Sequence, residues 1–440
     1  MRRFAPAVTA RRAEHGAATL VIVMVLFLIM ALLAAYGNRA LLFEQRIANS
    51  YYRASVAQEA AEAGVEWSLA QLNGGAVDGS CAPVATGGTR FMDRYLAISS
   101  DDRGIKRAST ASAEYVADCK KAASGWSCQC PALGAWTGPA AATGTSVSPS
   151  FGVINIQDIT TTSSRFRGGA FRIRVQGCTN SVVSACRETD TNSRAGQGTS
   201  IQDVTVALVS AVRSPPAAPL VVKGSVTVTG TGGLGLHNTD ARSAGLLYEV
   251  GGGVTGFSET RLNSVPGTPP AQARIANDDT LVHDPADPTQ PADVFRMFMG
   301  ATADRYKTHP ALRVVDCGGD CGAALTAAYA AGRRMMWVEG NLSLASSMTL
   351  GSASDPVVLV VNGSVTITGA VQIYGMVVAR GDVAWTNSAG TSQIVGMLLA
   401  EGDVVTTGAM DIVYLPAIAN QLRNRVGSFV RVPGGWTDLR

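Results

Sequence analysis

Between Ala17 and Ala35 the chain runs 19 residues without a charge, a proline or a side-chain amide. A helix of that length is about 28 Å long, close to the thickness of a bilayer's hydrocarbon core. Beyond it the pattern changes but stays helical. Residues 38–73 hold no proline and one glycine, Gly64, and are dominated by the strong helix formers Ala, Leu, Glu, Gln and Arg. Val56, Ala60, Ala63, Trp67 and Ala70 recur at spacings of 4, 3, 4 and 3, with Glu59, Glu62 and Glu66 in a second stripe beside them. The pattern predicts one helix over residues 17–73, roughly 85 Å long. Its first part, 17–36, is apolar all round and needs lipid or a bundle of partners; the rest is amphipathic.

The period then shortens. Residues 74–150 are rich in Gly, Ala, Ser and Thr and predict loops with short elements. GVINIQDITTTSS, GAFRIRVQGC and SIQDVTVALVSAV, within 151–212, alternate apolar and polar residues and predict strands. Pro215-Pro216 marks a boundary. After it comes a repeat: LVVKGSVTVTG (220–230) and LVVNGSVTITG (359–369) are identical at nine of eleven positions. GMVVARGD (375–382) returns 21 residues later as GMLLAEGD (396–403), and WVEGNLSL (337–344) is a weaker member. Periods near 20 with strand-turn-strand content predict stacked coils of a β-solenoid. Gly340, Gly363, Gly381 and Gly402 are expected to supply positive φ at the corners. Val358, Val360, Val365, Ile367, Val377 and Leu398 are expected to point into its core. Residues 231–336 read as an insertion between coils.

The segment before the apolar run holds Arg2, Arg3, Arg11 and Arg12 against one acid, Glu14. A cleaved secretory signal would have a shorter apolar core followed by a cleavage loop; an uncleaved signal anchor would use the arginines to keep the N-terminus cytoplasmic. A third reading comes from resemblance. The basic leader, the Gly16-Ala17 junction, the unbroken apolar helix and the run QEAAEAG (58–64) make residues 15–72 similar to the N-terminal segment of PilX-type minor pilins of type IV pili. The resemblance implies cleavage by a prepilin peptidase after Gly16 and methylation of Ala17. It further implies packing of 17–73 with other major and minor pilins, residence in the inner membrane before assembly, and a role in pilus assembly or priming, with adhesion as a further role. It departs from major pilins at the fifth mature position, where Val21 stands in place of glutamate; some minor pilins and the K-type pseudopilins of type II secretion share that departure.

The eight cysteines all follow the apolar run, on the side the arginines exclude, and an even number there argues for disulfides. Cys178 and Cys186 bracket a short connection, and Cys317 and Cys321 enclose a flexible GGD, so these are expected pairs. Cys81, Cys119, Cys128 and Cys130 leave three pairings open. Zinc spacing is absent. The chain has 36 basic and 33 acidic residues, a formal +3. The first 16 residues carry that same +3, so a processed chain is neutral and nucleic acid is not an expected partner. Arg165, Arg167, Arg172 and Arg174 alternate along a strand, and Arg423, Arg425 and Arg431 form a second basic group; both read as solvated faces.

A solenoid with convergent carboxylates would suggest glycan cleavage. The candidates are Asp382 and Asp403, with Arg380 and Glu401 nearby, but Gly-Asp at a corner is turn chemistry. Asp278, Asp279, His283, Asp284, Asp287 and Asp293 form an acidic loop without EF-hand spacing, which leaves calcium open there. No catalytic residue, cofactor or metal is expected, and the protein is not expected to be an enzyme.

The expected fold is α+β: a leader (1–16), a long membrane and filament helix (17–73), an antiparallel pilin-like sheet with cysteine-pinned loops (74–213), and a β-solenoid-like region (214–440) interrupted by a mixed insertion at 231–336. The expected protein is a minor pilin at or near a pilus tip, held first in the inner membrane by a single pass with its head periplasmic. Alternatives are a K-type pseudopilin, or a membrane-anchored adhesin or carbohydrate-active solenoid protein outside any filament. A surface or glycan ligand of the head is not named by the sequence.

Overall fold

The structure is a computed structural model that describes residues 15–108, 116–123, 125–130, 147–158, 168–186, 197–388 and 390–439. Helix α1 runs His15–Leu72 without a break. Residues 18–52 are exposed throughout, and the buried face begins at Ala57.

The buried half of α1 lies across an antiparallel sheet. In spatial order its strands are Gly427–Leu439, Thr199–Ser210, Ala170–Cys178, Ser150–Asp158, Ala117–Ala122 and Gly125–Gln129. Contact is made through small residues. Ala57, Ala60, Ala61, Val65 and Leu72 are buried, and so is Ser68, whose hydroxyl donates to Gly64 O at 2.7 Å. This face is rotated from the expected stripe: Val56, Ala63 and Trp67 flank it and Ala70 is exposed. Alanine spacing alone could not separate the two faces, because alanines occupy both. Close approach explains the glycines. A Cβ at Gly64 would stand 2.6 Å from Val175 Cγ1, and one at Gly177 would stand 2.0 Å from Ala57 O.

The first strand of this sheet in space is the last in sequence. Gly427 pairs with Ser210, so the chain leaves the sheet after Ser210 and returns beside the point where it left. The expected partition at 213/214 is therefore corrected: residues 427–439 complete the first sheet. Thr199–Ser210 otherwise has an open edge there, and covering an edge satisfies its ladder.

Between those points, residues 220–413 build windings whose strands pair in parallel. A long sheet runs through Leu312–Val315, Met335–Glu339, Val357–Asn362, Val371–Ala379, Gln393–Ala400 and Leu220–Val222 to Tyr248–Val250 and Arg274–Ala276. A second sheet runs Leu342–Leu344, Val365–Ile367, Val383–Asn387, Val404–Gly408, Val226–Thr229 and Val254–Thr255. Chain order is not spatial order. Leu220 pairs with Leu398 and Val226 with Val404, so the first winding sits on the last.

This narrows the expected insertion. Residues 234–276 contribute strands to the stack, as do 312–315 and 335–336. What lies between is residues 277–311, which carry the chain from one end of the stack to the other. Gly-rich 231–276 lacks the apolar alternation of the better repeats, so its strands are not marked by pattern.

The long sheet is buried on both faces. Leu359, Val361, Val377 and Leu398 face inward with Val365, Ile367 and Trp385. Val358 and Val360 instead face outward, into a second core with Trp337, Phe295, Tyr306 and Ile418. Their expected inward direction is corrected: in a run such as VVLVV no polar residue marks the outer face. The helices Val294–Met299, Ala303–Lys307 and Pro416–Asn424 supply this outer layer.

The corner glycines are corrected too. Only Gly340 has the expected positive φ, 73°. Gly363, Gly381 and Gly402 are needed for close approach: a Cβ at Gly402 would lie 2.2 Å from Asp382 Oδ1.

Candidate functional site: the exposed helix and the corners of the stack

Gly16 and Ala17 lie in the first turn of α1, and residues 1–14 of the expected leader lie outside the described residues. From Leu20 to Leu33 the large apolar side chains are exposed, as are Leu41, Leu42, Phe43, Ile47, Tyr51 and Tyr52. The helix is long and apolar enough to cross a membrane. Its sheet-bound half holds Glu59, Glu62 and Glu66 outward; Glu66 pairs with Arg431 at 2.6 Å. One rigid rod thus joins an apolar surface that water does not tolerate to a folded head.

Residues 15–66 match the family model described as PilX N-terminal. The N-terminal segment is PilX-type. No curated protein matches the chain. Among solved structures, an ice binding protein from an Antarctic bacterium, Flavobacteriaceae, is 18% identical and covers 47% of this chain, with a TM-score of 0.21; the chain spans 51% of that protein. The competence-associated pilin ComZ from Thermus thermophilus is 11% identical over 88% of this chain and 97% of its own, again with a TM-score of 0.21.

The PilX-type segment is followed by a head pinned by Cys81–Cys130, Cys119–Cys128, Cys178–Cys186 and Cys317–Cys321. Cys119 and Cys128 sit opposite each other in a hairpin, which settles the pairing that spacing left open.

Asp382 and Asp403 occupy successive corners, where each side chain accepts the backbone N–H of the next winding. Ser364 N donates to Asn341 Oδ1 at 2.9 Å, Asp382 N to Ser364 Oγ at 3.2 Å, Asp403 N to Asp382 Oδ1 at 2.9 Å and Ser225 N to Asp403 Oδ1 at 2.7 Å. Sequence reasoning found the two aspartates but missed Asn341, Ser364 and Ser225 as rungs of the same ladder, although all five directly follow a glycine or precede a strand. A second ladder joins Glu339, Asn362, Arg380 and Glu401: Asn362 donates to Glu339 at 3.0 Å, and Arg380 donates to Asn362 at 2.7 Å and Glu401 at 3.2 Å.

The acidic loop is spread over turns. Asp278 and Asp293 accept from Thr280 N and Arg296 N as helix caps, and Asp284 and Asp287 accept from Ala286 N and Thr289 N. The Thr289 bonds hold the Asp287 carboxyl below its ordinary range. Asp279 bonds His283 Nδ1 at 2.6 Å. Among the described residues no three His, Cys, Asp or Glu side chains form a group that could hold a metal ion.

Arg174 forms a bidentate pair with Asp203 on the neighbouring strand, at 2.7 and 2.8 Å, while Arg165 and Arg167 lie outside the described residues. Arg425 reaches Asp93 at 3.4 Å. Arg174 and Arg425 thus cross-link neighbouring elements, while Arg423 is exposed as expected.

Proposed function

We propose that this protein is a minor pilin of a type IV pilus, carried at or near the tip, where it primes assembly and presents its head. The observation that carries this reading is α1: a PilX-type segment whose first half is bare and apolar and whose second half is fixed on a sheet. In this reading the bare half is held by the inner membrane before assembly, with the N-terminus cytoplasmic, and by the helices of other pilins afterwards. A prepilin peptidase cuts between Gly16 and Ala17.

Position supports the tip. At the fifth mature position Val21 replaces the acid that would pair with a neighbour's N-terminal amine, and an isolated charge in an apolar core is costly. The subunit therefore suits a place with no subunit above it. The parallel windings support reading residues 220–413 as a β-solenoid borne by a pilin-like sheet. The corner ladders support a non-enzymatic reading, because Asp382 and Asp403 serve as acceptors for backbone N–H groups.

The test is immunogold labelling of sheared pili with antibody to the head. Gold at filament ends, and loss of pili on deletion of the gene, is the expected result. Dense labelling along the shaft rejects the tip, and head antigen confined to the membrane fraction favours an anchored adhesin outside any filament.

A further inference from the structure

A cleft of about 1000 Å³ opens between the first sheet and the helices on the outside of the stack. Arg103, Arg213, Arg296 and Arg305 line it with His309, and no carboxylate does. The four arginines come from four separate segments. Arg103 sits at φ 60°, a conformation that residues other than glycine seldom hold and that clusters at functional sites. Its Nε donates to Asn424 Oδ1 at 3.2 Å. Burial lowers its proton affinity and the Arg423 charge nearby lowers it further, so like charges are held together here. The stem of Arg213 lies against Gly300, where a Cβ would stand 2.6 Å from Arg213 Cδ. No ion pair is made by Arg103, Arg213, Arg296, Arg305 or Arg423 among the described residues. This sets them apart from Arg174, Arg380, Arg425 and Arg431, each of which meets a carboxylate.

A concave wall of one sign focuses positive potential on whatever enters. Guanidinium forks match the oxygens of phosphate and carboxylate. The remaining polar groups choose between ligands. Ser210 Oγ already donates to Arg423 O and Thr308 Oγ1 to Arg305 O, His309 Nδ1 is engaged with Ser428, and the Thr302 hydroxyl, which makes no cap bond to its helix, is the one left to meet a ligand. With no carboxylate or amide in the lining, a glycan's hydroxyls would find few acceptors for their protons. A phosphodiester backbone presents acceptors only. The lining also holds no Trp, Tyr or Phe on which a base would stack.

We propose that this cleft binds the phosphodiester backbone of nucleic acid, without reading its sequence. The neutrality of the processed chain does not oppose this, because the positive field is local to the cleft.

The test uses the full chain in detergent micelles and a fluorescent 20-base-pair DNA duplex, followed by anisotropy across a salt series. Each phosphate neutralised contributes about −0.9 to the slope of log affinity against log salt. A slope of roughly −3 to −4 is expected, equal for duplexes of different sequence. Arg296→Gln and Arg305→Gln should each weaken binding about tenfold and bring the slope about one unit closer to zero. Both side chains are exposed, so folding should be preserved, which an unchanged thermal midpoint checks. Arg242→Gln, outside the cleft, should change neither affinity nor slope. The proposal is overturned if the duplex does not bind at low salt, if the cleft variants bind with unchanged slope, if polyglutamate competes as well as DNA per charge, or if inorganic phosphate or pyrophosphate binds while the duplex does not.

Discussion

The side chain of Asn73, one residue past the end of α1, clasps the backbone of Phe429. Its Nδ2 donates to Phe429 O and its Oδ1 accepts from Phe429 N, both at 2.8 Å and both buried. An amide can satisfy a peptide's donor and acceptor at once, as a neighbouring strand would. The helix end and the C-terminal strand are thereby fixed to each other across nearly the whole sequence. Asn73→Ala leaves two buried backbone groups without partners and should cost about 2–4 kcal/mol. Asn73→Asp keeps only the acceptor and should also destabilise. Urea unfolding of the two variants against the parent measures both.

Processing is the second prediction. Intact mass of the membrane-extracted protein should correspond to a chain starting at Ala17 with one added methyl group. A mass starting at Met1, or after Ala35, removes the basis for filament incorporation.

The corner ladder makes a graded prediction. Asp382→Asn and Asp403→Asn keep an oxygen acceptor and should change stability by less than about 0.5 kcal/mol. Asp403→Ala removes the acceptor for Ser225 N and should cost about 1 kcal/mol. Val365→Asp places an unpaired carboxylate in the inner core and should cost several kcal/mol. Thermal melts rank the four variants. A glycan panel treated with the parent protein should show no cleavage; cleavage lost in the Asp382 or Asp403 variant would return these residues to a catalytic role.

Asp355 gives the pH prediction. It accepts from Arg334 Nη2 at 2.6 Å and from Arg90 Nη2 at 3.2 Å, joining the segment after α1 to the stack. Burial by itself would raise its carboxyl, but the Arg334 hydrogen bonds and the charges of Arg90, Arg334 and Arg425 outweigh burial and lower it. A depressed carboxyl stabilises the fold above the unfolded value of about 4, and that contribution is lost as pH falls through the lower folded value. Stability of the parent should therefore drop more steeply below about pH 4 than that of Asp355→Asn. Denaturant titrations at pH 7 and pH 3 compare them.

Much of this was readable from sequence because single patterns carried it. The apolar run gave α1, and the alternation in 151–212 gave strands of the first sheet. The repeat pointed to strands of a common type but not to their neighbours: LVVKGSVTVTG and LVVNGSVTITG are so alike that either could sit on GMLLAEGD, and only the structure seats Leu220 on Leu398. Direction failed for Val358 and Val360 because both faces of their strand are apolar. The cleft was invisible because Arg103, Arg213, Arg296 and Arg305 are each unremarkable where they stand in the chain.

The adjacency of Ser210 and Gly427 has a mechanical consequence. A body hung on one linker swivels freely. This one is mounted by two strands hydrogen-bonded side by side, so turning it shears a ladder and pulls Phe429 from Asn73. Torque or drag on the stack passes into the sheet, and from the sheet into the rod beneath it. At the end of a filament such a mount would keep one face of the head pointing in a fixed direction relative to the fibre axis.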